Sequence, residues 1–295
     1  MAILMSILIL FFTAVSFGEI RLISPEELNN MLKKEKNLVI LDLRRSIKDY
    51  WKEHIPGAQW IHFEAFRFPN NGKPAFFIPV EIFIEKLEKL GIDRNTKVVL
   101  YDAEGSFIPF YVAWGLDYIS HPEIYVLHGG FNHWKDKDLP TTKDYPKVKP
   151  KSYETYKINE EIRADLSYVK KSLMNKNVIF LDARTPELYE GKAGFWKRLG
   201  HIKGAVNRFW KQDFEERVNK YGKRYYLLKP KEDISLFYES LGIGKGKEVI
   251  LYCGQGLMSG ATYYVIKYYL SLTDKVRLYD GSWNEYSQTS LPKEP

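Results

Sequence analysis

The chain has 295 residues, 45% of them hydrophobic and 27% charged, with a formal net charge of +7. That length exceeds one ordinary core and fits two domains of common size, and the composition excludes a disordered chain. The basic residues are scattered lysines rather than a run, and no zinc spacing, helix-turn-helix pattern or aromatic-basic strand motif is present. This excludes a nucleic-acid module and reads as a solvated surface with a mild pull on small anions.

In chain order, Ile3 to Val15 is almost wholly apolar and ends in Ser16-Phe17-Gly18. The run is shorter than the ~20 residues of a membrane span. Residues 1–18 are expected to be a secretory signal cut after Gly18, or an uncut N-terminal anchor, the only route by which a membrane would enter. No Lys or Arg precedes the run. Either way the folded part is expected to be exported, in a periplasmic or other extracytoplasmic setting.

Ser24-Pro25-Glu26-Glu27 reads as a helix start, with an N-cap serine and proline in the first turn. Leu38 to Leu41 reads as a strand, Val80 to Leu90 as a helix stopped by Gly91, and Lys97 to Tyr101 as a second strand. Lys147 to Lys157, beside Pro146 and containing Pro150, reads as an extended, exposed linker. The pattern then repeats: strand Val178 to Leu181, helix Lys231 to Leu241 stopped by Gly242, strand Glu248 to Tyr252, and a helix over Ala261 to Leu270. Alternating apolar strands and helices predict an α/β fold with a mainly parallel sheet covered on both faces in each half.

The halves also share motifs in the same order. Leu41-Asp42-Leu43-Arg44 recurs as Leu181-Asp182-Ala183-Arg184, and His54-Ile55-Pro56-Gly57-Ala58 as His201-Ile202-Lys203-Gly204-Ala205. The strand ending at Asp102 recurs as the strand ending at Cys253, and Gly129-Gly130-Phe131 parallels Asp280-Gly281-Ser282-Trp283. The offset grows from 140 at Asp182 to 147 at His201 and 151 at Cys253, and the first step falls where the second copy carries extra residues around Gly191 to Leu199. A period this long means two compact domains, 19–145 and 158–295, joined by 146–157.

Cys253 is the only cysteine, so no intramolecular disulfide forms. It ends a strand, starts a glycine-bearing turn and precedes a helix. Turn amides and the helix N-terminus favour a thiolate there, against the alternative of a small buried hydrophobe.

Strand-Asp-x-Arg, Gly-His-Ile-x-Gly-Ala, strand-Cys with a short glycine loop, and Asp-Gly-Ser-Trp together resemble the rhodanese family of sulfurtransferases, over Glu19 to Pro295. The resemblance implies tandem rhodanese-like domains with a silent first copy, because Asp102 stands where Cys253 stands and a carboxylate carries no transferable sulfur. It implies that the Cys253 thiolate takes the outer sulfur of a donor as a persulfide and hands it to an acceptor nucleophile. No cofactor and no metal are expected. Phosphatases of the same fold use a longer loop ending in arginine; here no Arg or Lys occurs between Cys253 and Lys267, so phosphate would lack its bidentate partner.

Gly254, Gln255, Gly256, Leu257, Met258 and Ser259 are the candidate substrate-binding loop, with Gly254, Gly256 and Gly260 read as turn-makers. The loop keeps the two glycines of mercaptopyruvate-type members and lacks the cations of thiosulfate-type members. Met258 replaces the hydroxyl residue that both types show, and a thioether donates no hydrogen bond. Arg184 is a candidate anion contact or, alternatively, a salt bridge holding the Gly-His-Ile turn. Arg198 is a second candidate anion contact. Asp182, His201 and Asp280 are read as orienting residues, the first two because they recur as Asp42 and His54 beside no nucleophile. Trp210, Tyr225 and Tyr226 either line a pocket or pack between domains, and packing is favoured. The expected partners are a small sulfur-containing anion and a thiol or cyanide acceptor, with a sulfur-accepting protein as the alternative.

Overall fold

The computed structural model describes residues 18–70, 73–244 and 246–295. The expected signal or anchor therefore lies outside the described residues except for Gly18, and among them no helix is long and apolar enough to cross a membrane. The first half runs β1 (Glu19–Ile23), α1 (Pro25–Lys34), β2 (Leu38–Asp42), α2 (Ile47–Lys52), β3 (Ala58–Trp60), β4 (Arg67–Asn70) and β5 (Lys73–Phe77). It continues with α3 (Val80–Lys89), β6 (Lys97–Tyr101), α4 (Phe107–Tyr118), β7 (Glu123–Leu127) and α5 (Gly130–Asp136). The second half runs β8 (Arg163–Ala164), α6 (Leu166–Ser172), β9 (Val178–Asp182), α7 (Pro186–Tyr189), β10 (His201–Ile202), β11 (Val206–Asn207), β12 (Phe214–Val218) and β13 (Arg224–Leu228). It ends with α8 (Lys231–Ser240), β14 (Glu248–Tyr252), α9 (Ser259–Tyr264), β15 (Val276–Tyr279), α10 (Ser282–Tyr286) and β16 (Lys293–Glu294).

Each half builds a five-stranded sheet, ordered β1-β7-β6-β2-β3 and β11-β9-β14-β15-β8, with every pairing parallel. Period-two alternation sorts the side chains. Ile40, Val99 and Tyr101 pack with Leu28 of α1 and with Phe131 and Trp134 of α5. Leu41, Val98 and Leu100 pack on the other face with Phe83 and Leu87 of α3 and Trp114 of α4. The second sheet repeats this, with Phe180, Ile250 and Tyr252 against Val169, Trp283 and Tyr286. Leu181, Val249, Leu251 and Cys253 face α8, α9 and the first domain. Both sheets are thus covered on both faces, as the sequence predicts.

Predicted helix starts and stops are present. Ser24 and Glu27 form a reciprocal capping box on α1, and Gly91 and Gly242 follow α3 and α8. Two readings change. The helix over 261–270 is α9 continued by a π-helical turn, Val265–Tyr269, closed by the Leu270 amide donating to the Val265 carbonyl at 2.8 Å. The linker is extended but not wholly exposed: Tyr153 is buried with its hydroxyl 2.7 Å from His121 Nδ1, and the Lys151 amide donates to the Glu88 carbonyl.

One apolar cluster crosses the domain boundary because α4 lies directly on α9. Gly260 is therefore not a turn-maker. It sits inside α9, and a Cβ there would fall 2.6 Å from the Tyr111 backbone nitrogen. Asp117 of α4, fully buried, accepts from the hydroxyls of Tyr263 and Tyr268, each at 2.6 Å, across the same interface.

Two predictions follow from this packing. Gly260→Val must push α9 off α4 and should cost ~1–3 kcal/mol of stability; an unchanged urea midpoint would contradict the packing. The second concerns His128, whose Nε2 accepts the Leu228 amide of the other domain at 2.8 Å and so must be unprotonated. Burial, with the neighbouring His133 charge, lowers its pKa from 6.5 to about 4. The unfolded chain binds this proton below a pH of about 6.5 and the folded chain does not, so stability is full above that and falls as pH drops toward 4. His121, lowered to about 4 chiefly by burial, adds to the same slope. His128→Gln should flatten part of the slope of unfolding midpoint against pH; a slope identical to wild type would refute the assignment.

Candidate active site

The site forms at the carboxyl edge of the second sheet, where loops after β9, β14 and β15 meet, the usual ligand-facing edge of a parallel sheet. Cys253 leaves β14 with its amide donating to Ser282 Oγ at 3.1 Å. Its carbonyl accepts from the Trp283 amide at 3.0 Å, and the Gly254 carbonyl accepts from Asn284 at 3.0 Å. The side chain is 1% exposed.

The first domain shows what this loop is built to hold. The Asp102 and Ala103 carbonyls accept from Phe131 and Asn132, matching the Cys253 and Gly254 pattern. The loop glycine three residues on is left-handed in both copies, φ +70° at Gly105 and +84° at Gly256, which only glycine adopts freely. Curled this way, the first loop aims its amides at residue 102. Asp102 Oδ1 accepts from Glu104 (3.2 Å), Gly105 (2.7 Å) and Ser106 (3.1 Å), and Oδ2 accepts from the Ser106 hydroxyl. Burial pushes the Asp102 carboxyl up, opposed by these donors. The equivalent position in the second loop is the sulfur of Cys253.

Asp182 and Arg184 form a buried ion pair: Arg184 Nε reaches both Asp182 oxygens at 3.0 Å and Nη2 reaches Oδ2 at 2.6 Å. Nη2 also donates to the Gly200 carbonyl at 2.7 Å. Arg44 repeats this with Asp42 and the Glu53 carbonyl. Arg184 thus holds the turn before His201, as the salt-bridge alternative has it, yet its Nη1 is buried without a hydrogen-bond partner among the described residues. Burial works against its charge, but the Asp182 bonds hold the guanidinium above its ordinary pKa, and Cys253 lies close enough to add support. The cation sits in an aromatic cage, 4.8 Å from the Trp283 ring, 5.4 Å from Trp196 and 5.9 Å from Tyr252.

The remaining candidates separate. His201 stacks on Tyr189 at 3.7 Å with Nδ1 2.8 Å from the Tyr189 carbonyl, as His54 does on Tyr50, so it orients a turn. Arg198 is a correction: its nitrogens go to the carbonyls of Ser287, Leu291 and Tyr286, clamping the C-terminal segment instead of contacting an anion. Asp280 accepts the Phe77 amide at 2.6 Å, Arg163 at 3.2 Å and the Tyr111 hydroxyl at 3.3 Å, so it joins both domains directly beneath Gly256. Burial raises its pKa and the Arg163 charge opposes. Ser259 Oγ is buried without a partner, while Leu257 and Met258 pack on the core. Trp210, Tyr225 and Tyr226 pack between domains, with Trp210 5.2 Å from Phe107 and Tyr225 4.9 Å from His133; Trp210 and Tyr226 also line a cavity of about 410 Å³ beside the silent loop.

Sequence reading misses Arg67 altogether. Arg67 of the first domain donates from Nη2 to the Gln255 carbonyl at 2.8 Å, so the loop is held from outside its own domain. The exchange is reciprocal, since Tyr226 of the second domain donates its amide to the Glu104 carbonyl, the matching position, at 2.7 Å. Both donors lie on hairpins, β4-β5 and β12-β13, inserted at the same place in each copy. Phe77 and Leu228 are 151 residues apart, as are Pro79 and Pro230, a sequence trace of that symmetry.

A model of the rhodanese-like domain matches residues 24–137 and again 165–289. The chain belongs to the rhodanese family. A Synechococcus elongatus protein named, provisionally, as a thiosulfate sulfurtransferase is 36% identical over 96% of this chain and 87% of its own length. The sulfur carrier protein TtuD of Thermus thermophilus is 32% identical over 84% of this chain and 87% of its own. Azotobacter vinelandii thiosulfate sulfurtransferase is 28% identical over 90% and 93%. Among solved structures, an EanB variant complexed with hercynine superposes with a TM-score of 0.80 at 22% identity, covering 93% of this chain and 69% of that one, a likeness of fold.

The cross-domain hold on the loop gives a test. Arg67→Gln should slow any reaction at Cys253 by roughly tenfold or more, since losing the Arg67 bond to the Gln255 carbonyl displaces the loop beside the thiol. Full reactivity in this variant would show that the loop needs no support from the first domain.

Proposed function

We propose that this rhodanese-family sulfurtransferase moves a sulfane sulfur from thiosulfate or 3-mercaptopyruvate to cyanide or a thiol through a persulfide on Cys253. The Cys253 thiolate attacks the outer sulfur of thiosulfate; the S–S bond of the donor breaks, sulfite departs with its electron pair and Cys253 becomes Cys–S–S⁻. With 3-mercaptopyruvate the C–S bond breaks instead, and the thiol proton ends on the carbon of pyruvate. Cyanide or a thiolate then takes the outer sulfur and restores the Cys253 thiolate.

The observation that carries this reading is the Asp102 cradle. An anion at that position in the silent copy collects three loop amides and a hydroxyl. The second loop has the same left-handed glycine and places a sulfur there, so the same curl would stabilise an anionic thiolate or persulfide. Arg184 Nη1, caged and unpartnered, suits the sulfonate or carboxylate of the donor.

A second reading has the chain hold its persulfide for another protein, and the likeness to a sulfur carrier protein favours it. Intact mass and steady-state rates separate the two. Exposure to the correct donor should add about 32 Da, one sulfur atom, to wild type and nothing to Cys253→Ala. Turnover with cyanide or a small thiol that vanishes in Cys253→Ala supports the enzyme; a stable adduct with negligible turnover supports the carrier. Absence of any adduct with either donor would end the persulfide reading.

A further inference from the structure

The extra residues of the second copy form a small loop over the active site. Its ends meet, since a Cβ on Gly191 would lie 3.2 Å from the Gly200 nitrogen. Its base is tied down: Arg198 reaches three carbonyls of the C-terminal segment, and the Arg198 carbonyl accepts from Trp283 Nε1 at 3.1 Å. Its tip is not. From Gly194 to Lys197 the backbone makes no hydrogen bond with any described residue, and Gly191, Gly194 and Gly200 all have positive φ. Segments with few backbone bonds and glycine breaks open at the lowest free energy.

At that tip, Trp196 turns inward. Its ring atoms lie 2.8 and 3.2 Å from where a Cβ of Gly254 would be, so Gly254 is glycine to admit the indole rather than to make a turn. The same ring packs over the Arg184 cation at 5.4 Å, and its Nε1 is buried without a hydrogen-bond partner among the described residues. Phe195, stacked on it at 4.5 Å, is 79% exposed. The first domain carries no such loop between Glu53 and His54, and there open cavities border its Asp102 and Arg44.

We infer that Trp196 is a specificity-determining residue: its indole roofs the Cys253 loop and selects donors and acceptors by size. A small anion needs only a ring displacement, whereas a bulky thiol needs the whole tip to swing about a base that Arg198 keeps fixed. The inference rests on Cys253 as the reacting group, but access to the thiol can be measured without sulfur transfer. With a single cysteine, alkylation reports on this site alone.

The experiment compares iodoacetamide with a bulky aromatic disulfide, and cyanide with glutathione as acceptors, in wild type, Trp196→Phe and Trp196→Ala. Trp196→Ala should speed the bulky reagent and the glutathione kcat/KM by roughly tenfold or more, and change iodoacetamide and cyanide by much less. Trp196→Phe, which keeps a ring, should stay close to wild type. Arg198→Ala frees the base of the loop and should open the site to the bulky reagent in the same direction, carrying the test if Trp196→Ala does not fold. Equal acceleration of large and small reagents, or no change with either, would overturn the roof. Size-dependent alkylation without sulfur transfer would sink the proposed reaction and leave the roof standing; normal sulfur transfer without size dependence would do the reverse.

Discussion

The hydrogen bond from Arg67 to the Gln255 carbonyl is the contact on which the site's shape depends. A short loop that curls its amides inward turns some carbonyls outward, and a buried carbonyl without a partner costs ~1–3 kcal/mol. Here the partner is a cation on a hairpin of the other domain. Asp280 secures the neighbouring strand-end in the same way, taking the Phe77 amide from that hairpin's other strand. The Cys253 loop is therefore held in part by the other domain. Mirror contacts from β13 to the Glu104 carbonyl and His128 hold the silent loop, so the two domains are locked by an exchange rather than by simple apposition.

The silent copy is also a physical record of the active one. Both loops have a left-handed glycine three residues after the strand-end residue, the same buried Asp–Arg pair behind them and the same stacked Tyr–His turn beside them. What differs is the residue that ends the strand and the cover beside it. In the first domain a carboxylate accepts the Gly105 amide. In the second a thiol occupies the place, and an indole from the inserted loop lies against the adjoining glycine.

Much of the fold is legible because it follows from local rules. Strand runs flanked by capped or glycine-stopped helices specify a doubly covered parallel sheet, and the capping box at Ser24 and Glu27 forms as its spacing requires. The orienting roles of Asp182 and His201 are readable from the duplication, since residues kept beside no nucleophile serve the turn, whereas the salt bridge of Arg184 is readable only as the alternative to an anion contact. Arg198 misleads, because a cation near an active loop suggests an anion and its real partners are carbonyls almost ninety residues away in sequence. Gly254 and Gly260 mislead for a related reason: in a loop a glycine suggests a turn, but here one admits an indole and the other a neighbouring helix. Tyr153 likewise anchors a linker whose proline and lysine content suggests only exposure.

The sequence by itself determined the two-domain duplication, the sheet-and-helix order and the place of the one cysteine at the end of its strand, because each depends on residue type and spacing along the chain. The tertiary structure alone decided that Arg67 supports the distant loop, that α4 and α9 meet at Gly260, and that Trp196 covers Gly254. Those contacts join residues far apart in the chain, and their strength comes from burial and close approach in three dimensions, which composition and periodicity do not encode.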